Sequence, residues 1–169
     1  HMRWQRQRNS EFASRPTLTD SLTGLANRTA LEARLANAVD HCNAERRELA
    51  LMAINLDGFK PVNATFGHAV GDQLLKQAGQ RIARLMHESD FAARANGDEF
   101  MVLLTAGTQR DKIERLAASI IESIAQPFRF GTRELGLGCS IGVAIFPEHG
   151  EADKLIARTD HAMQAAKRA

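Results

Sequence analysis

Two stretches of this chain hold more acids and amides than a simple connection needs. In "LMAINLDGFKPVNATFGHAVGD", residues 51–72, Asn55 and Asp57 interrupt an apolar run, and Lys60, Asn63 and Asp72 follow. In "ARANGDEFMVLL", residues 93–104, Asp98 and Glu99 come directly after Asn96-Gly97. Carboxylates offered side by side at two strand ends can hold Mg²⁺ beneath the phosphates of a nucleotide. The Gly58-Phe59-Lys60 bend can aim backbone N–H groups at phosphate oxygens. Asn63 and Asp72 carry an amide and a carboxylate suited to the Watson–Crick edge of a purine. Each residue alone has a plain alternative, a solvated turn acid or a surface lysine. The chemistry rests on the set.

Helices and strands must alternate to bring these stretches together. Pro16 to Asn27 reads as an ordered loop, and Asn27 caps a helix over residues 28–46 with Leu31, Leu35, Ala38 and Val39 at three-to-four spacing. Residues 49–56 read as a strand. Residues 72–86 read as a helix with Leu74, Leu75, Ala78, Ile82 and Leu85 inward. Asn96-Gly97, the dipeptide that most favours a type I′ turn, predicts a hairpin of two short strands. A helix over 111–125 stops near Pro127, strands turn near Gly131, a last strand spans 138–146, and a final helix covers 153–168. Hairpins mixed with helical crossovers predict an α+β fold with helices packed on a central sheet.

With 169 residues and 44% apolar content the chain fits one domain with a normal core. Its apolar runs fall far short of the ~20 residues of a membrane span. Cys42 and Cys139 lack the spacing or His partner of a metal or redox site and read as core residues of a reduced, cytosolic protein. His41, His68, His87, His149 and His161 form no pair with acidic backing that would mark zinc, and His68 reads as a brace for the loop ahead of its helix. Residues 1–15 carry four arginines against one glutamate, +3, which leaves 18 basic and 19 acidic residues, −1, for the rest. That near-neutral remainder shows no broad footprint for nucleic acid. His1-Met2 reads as a cloning remnant, and residues 1–16 as that remnant plus a linker helix with Trp4. This helix is either juxtamembrane or inter-domain in a longer protein, or simply a solvated linker end.

Taken together, "DSLTGLANR" (20–28), "LDGFKPVNATFGHAVGD" (56–72), "ARANGDEFMVLL" (93–104), "CSIGVAIFPEHG" (139–150) and "TDHAMQAAK" (159–167) resemble the GGDEF family, the diguanylate cyclase domain. The resemblance covers residues 17–169. It implies a five-stranded, mostly antiparallel sheet flanked by helices, similar to the polymerase palm and the class III nucleotide cyclases. It also implies a homodimer in which each domain brings one GTP, the two condensing to cyclic di-GMP on Mg²⁺ or Mn²⁺. Carried over by position, Asn63 and Asp72 match the guanine-reading residues. Phe59, Lys60 and Lys167 match positions near the phosphates. Asp98 matches a metal-ligating acid, Leu56 contributes a backbone carbonyl toward the metal, and Glu99 matches an acid that either supports the metal or removes a proton from the 3′-hydroxyl. Asp20 and Arg28 match the leading turn, where a structural ion pair is expected.

Several positions depart from the pattern, among them Gln164 of the final helix, where the family often has Tyr. Asn55 stands where the family has the first, metal-binding Asp of Asp-x-Asp. An amide oxygen supplies geometry without charge, and even outer-shell changes cost about 10–100-fold in metal affinity or activity. Asn96 replaces the first Gly of the signature, giving "NGDEF" through Gly97, and brings a side chain to a place where the family's backbone nears the nucleotide. His87 stands where the product-inhibition motif Arg-x-x-Asp has Arg, while Asp90 is kept. Imidazole cannot make the forked phosphate contact of guanidinium.

Three functions are compatible with these residues. The first is a degenerate GGDEF domain that binds GTP, holds metal weakly and regulates an adjoining phosphodiesterase-type output domain. The second is a working or weak cyclase, against which Asn55 speaks. The third is a structural dimerisation module, against which the retained Asn63, Asp72, Lys60, Asp98 and Glu99 speak. All three place the domain in the cytoplasm, with any membrane anchor in a region before it.

Overall fold

The run Leu49–Leu56 is apolar at almost every position because both of its faces are covered. Strand β1 (Leu49–Asp57) sends Ala50, Met52, Ile54 and Leu56 into one core, and Leu49, Leu51 and Ala53 into a second. In the computed structural model, which describes residues 17–168 apart from Gly107, β1 is a central strand. It pairs antiparallel with β3 (Glu99–Leu104) and with β6 (Gly138–Phe146), and β2 (Asp90–Asn96) closes the far edge. The order is β2-β3-β1-β6.

Helices cover both faces. On the second core lie α1 (Arg28–Glu45), through Leu31, Leu35, Val39 and Cys42, and α5 (Ala152–Arg168), through Leu155 and Met163. On the first lie α2 (Phe59–Phe66), α3 (His68–Arg84) and α4 (Arg110–Ala125). Asn27 caps α1 by accepting from Ala30 N–H at 3.0 Å. Arg46 ends it in the left-handed region, with φ of 53°. Gly142 decides how close α5 can come, since a Cβ there would lie 2.1 Å from the Met163 nitrogen. That close approach brings the far end of α5 over the end of β1.

The fold class is therefore α+β, as expected, with three corrections. The main sheet has four strands rather than five, and β4 (Phe128–Phe130) pairs with β5 (Arg133–Leu135) in a separate ribbon. Residues 59–66 form a helix, and α3 begins at His68 rather than at Asp72. Gly67 divides the two helices at φ 88°, so the Gly-rich spelling marks a sharp corner rather than a long loop. The hairpin turn is not type I′, because none of Asn96, Gly97 and Asp98 has a positive φ. A register shift between Arg94 and Asn96 bends the hairpin instead.

The ion pair expected between Asp20 and Arg28 also falls elsewhere. Asp20 meets Arg94 at 3.2 Å, and Arg28 meets Glu32 one turn along α1. Burial raises the Asp20 carboxyl, but hydrogen bonds from Thr23 and the charge of Arg94 outweigh it and hold it below the ordinary range. Cys42 is buried and Cys139 is packed against the core, and both are free thiols. No helix among the described residues is long and apolar enough to cross a membrane. The linker helix expected within residues 1–16 lies outside the described residues.

Candidate functional site

The end of β1 holds the first group of side chains. Asn55 continues the face of Leu51 and Ala53, which α5 covers, and stands opposite Glu99 on β3 and Ser140 on β6. It is only 7% exposed, so both ends of its amide need partners. Nδ2 donates to Asp98 Oδ1 at 3.2 Å, and Oδ1 accepts from Nζ of Lys167 in the last turn of α5. The Leu56 N–H donates to the Asp98 carbonyl at 3.2 Å, tying the hairpin turn to the strand end. Asp57 is engaged separately, accepting from Ser140 Oγ at 2.9 Å.

Glu99 belongs to the same wedge and is 8% exposed. Burial first, and then the hydrogen bond and charge of Asp160, push its carboxyl up to about 8. Glu99 Oε1 and Asp160 Oδ1 are both buried, and neither has a donor among the described residues. The neighbouring Asn96 amide can donate to Glu99 Oε2 at 3.4 Å. Turned over, it donates to the Ala95 carbonyl at 2.9 Å and accepts from Arg28 Nη1 at 3.1 Å, which satisfies both of its atoms. The latter setting is the better one. Gly97 would meet nothing if it carried a Cβ, so its turn is open on this side.

A second group lies at the α2–α3 corner. Asn63 is on α2, Asp72 is exposed on α3, and between them Gly71 supports the Asn63 side chain. A Cβ on Gly71 would sit 1.7 Å from Asn63 Oδ1, an oxygen that is buried and has no donor among the described residues. Phe59 is buried, so only its backbone is free for a ligand, whereas Lys60 is exposed in the first turn of α2. Gly58 starts that helix at φ 81° without a side-chain cap, which leaves its first N–H groups open.

A divalent cation does not fit the strand end as these residues stand. Asn55 turns its NH₂ toward Asp98 and spends its oxygen on an ammonium, leaving Asp98 as the one carboxylate in the chain of contacts. Among the described residues no group of three His, Cys, Asp or Glu side chains could hold a metal ion. Asn55, Leu56, Asp98, Glu99 and Lys167 are thus brought together, but not as a cation cage.

The remaining expected positions, His87 and Asp90, share one tight turn. Asp90 Oδ2 accepts from the His87 N–H at 2.9 Å, so one oxygen of this carboxylate is engaged by its own backbone. A cleft of about 570 Å³ runs beside them toward Lys112 and Arg115.

Asp160, Gly71 and Ser140 were not anticipated from the sequence. Asp160 could have been: it precedes Lys167 by seven residues, two helical turns, so both fall on one face of α5. Gly71 and Ser140 carried no local signal, because their importance comes from partners remote in space or across a helix corner.

The diguanylate cyclase, GGDEF domain family matches residues 17–169. A solved GGDEF domain of TpbB from Pseudomonas aeruginosa superimposes with a TM-score of 0.85 at 39% identity, over 89% of this chain and 88% of that one. The diguanylate cyclase TpbB of that organism is 38% identical over 98% of this chain and 39% of its own length. The cyclic di-GMP phosphodiesterase PdeR of Escherichia coli is 38% identical over 88% of this chain and 22% of its length. This chain therefore spans well under half of either curated relative. With the family matched along the described fold, the chain belongs to the GGDEF domain family of cyclic di-GMP signalling proteins.

Proposed function

We propose that this domain binds GTP and conveys its occupancy to an adjoining output domain, while forming little or no cyclic di-GMP. One observation carries the reading: Lys167 closes the strand end through Asn55, while the buried Asn63 oxygen has no donor among the described residues. A buried acceptor left unpaired costs about 1–3 kcal/mol, and an Asn63 amide turned outward from Gly71 pairs instead with a base presenting N–H groups. Guanine offers such donors on its Watson–Crick edge, and Asn63 with Asp72 accepts them. Adenine does not match in the same way, so discrimination follows from the pairing. Lys60, the open N–H groups of α2 and Lys167 supply positive charge for the triphosphate.

Condensation of two GTP asks for more than binding. Phosphoryl transfer is accelerated by positioning and by positive charge that neutralises the reacting phosphates, with divalent ions the usual source. The Asn55 amide withdraws a carboxylate from that role. The name of the relative PdeR supports an output domain of the cyclic di-GMP phosphodiesterase type. Dimerisation through paired GGDEF domains belongs to the cyclase reading, which the name of TpbB supports.

Calorimetric titration with GTP and with ATP, followed by chromatography for cyclic di-GMP at high protein concentration, tests the proposal. GTP should bind about tenfold more tightly than ATP, in keeping with a loss of about 1–3 kcal/mol per mismatched buried group. Equal affinities, or no binding at millimolar nucleotide, would overturn it, and rapid product formation would favour the cyclase.

A further inference from the structure

The contact between Lys167 and Asn55 has a consequence for how a triphosphate is held. Asn55 faces two ways, donating to Asp98 at 3.2 Å and accepting from the Lys167 ammonium. The ammonium is therefore fixed at the strand end by a buried amide, and α5 that carries it is held against the sheet at Gly142, where a Cβ would lie 2.1 Å from the helix backbone. A mobile lysine lends its charge only part of the time, whereas one anchored at its tip is preorganised. We propose that Lys167, anchored by Asn55, replaces the divalent cation in this domain, so that it binds the GTP triphosphate without Mg²⁺. This rests on the GTP-binding reading above. A carboxylate at position 55 would leave two negative groups facing each other across the Asn55–Asp98 contact and call for a cation between them. With asparagine they bond directly, and an added cation would have to displace both the amide hydrogen and the ammonium.

Binding of a non-hydrolysable GTP analogue to the 169-residue chain, measured by calorimetry in Mg²⁺ and in EDTA, tests this. The wild-type dissociation constants should agree within about threefold in the two buffers, one tenfold step being about 1.4 kcal/mol. Lys167→Ala should bind about tenfold more weakly in EDTA and recover with Mg²⁺, because its removal frees the Asn55 oxygen for a cation. Lys167→Arg should stay close to wild type in EDTA. A wild-type difference above threefold, or a Lys167→Ala protein whose two constants differ no more than those of wild type, overturns the proposal while leaving GTP binding intact. Absence of binding in both buffers overturns it together with the GTP-binding reading.

Discussion

The α2–α3 corner and the end of β1 lie on opposite faces of the same strand and have been treated differently. At the corner, the buried Asn63 oxygen has no partner among the described residues, and the missing side chain of Gly71 makes room for it. At the strand end, the buried Asn55 has both amide atoms engaged, by Asp98 and by Lys167. The first arrangement leaves one polar atom unpaired among the described residues, and the second pairs both. An unpaired buried acceptor costs about 1–3 kcal/mol, whereas a closed chain of hydrogen bonds stabilises the fold by itself. On the proposed reading, recognition of a base and chemistry on its phosphates fall to separate regions of this fold.

The largest effect is expected from filling the corner. Gly71→Ala places a Cβ 1.7 Å from Asn63 Oδ1, so the amide must swing away. Alanine is the better helix former by about 1 kcal/mol, so α3 itself should not suffer. GTP affinity should fall about 10–100-fold by calorimetry while the melting temperature is held or rises, the loss of one or two buried pairings. An unchanged affinity would remove Asn63 from the base site and dissolve the contrast.

Asn55→Asp attacks the other region. It keeps the size of the side chain, removes the hydrogen bond to Asp98 and returns a negative charge. Cyclic di-GMP formation at high protein concentration in Mg²⁺ or Mn²⁺ should rise about tenfold or more, the scale of changes around metal sites. Brisk turnover by the wild-type protein that this substitution fails to raise would mean that the strand end is not the weak point.

How far these regions were legible depended on the range of the causes. β1, β6, α1 and α4 follow from local patterning, since apolar period and caps act within a few residues. α2 was missed because Gly58, Pro61, Asn63 and Gly67 spell turns, yet Phe59 and Val62, buried against the first core, hold the segment helical. The hairpin was legible and its turn type was not, because the bulge beyond Arg94 depends on the partner strand. The departure at Asn55 was plain in the sequence. That Lys167 fills the gap was not, since that contact spans 112 residues and depends on α5 seating at Gly142.

A smaller effect is expected at the turn of His87 and Asp90. One oxygen of its carboxylate accepts from the His87 N–H, and the imidazole at position 87 cannot make the forked phosphate contact of a guanidinium. Cyclic di-GMP should bind no tighter than micromolar, and Asp90→Ala should leave that value within about twofold, well below the tenfold that 1.4 kcal/mol represents. Submicromolar binding abolished by Asp90→Ala would restore feedback to this site.

The smallest effect concerns the proton on Glu99, and it separates the strand end from the corner by pH alone. Burial and the adjacent acid push Glu99 up to about 8, whereas an unfolded Glu titrates near the ordinary 4.5. Between those values the folded chain keeps a proton that the unfolded chain has lost, so stability falls as pH rises through that window and levels off above it. Asp20 acts with the opposite sign: its carboxyl is held low, so its contribution is present above the ordinary carboxylate range and is lost only as acid protonates it. Glu99→Gln keeps the shape and holds no proton to lose. Its melting temperature should exceed that of wild type by about 2–4 °C near pH 8, the shift of roughly 1 kcal/mol in a domain of this size, and the two should converge near pH 5. Melting curves of both proteins from pH 4.5 to 9 read this directly. Parallel curves across that range would place the ionised form of Glu99 in the folded protein at neutral pH, and would return this acid to the pool of negative charge that a cation could use.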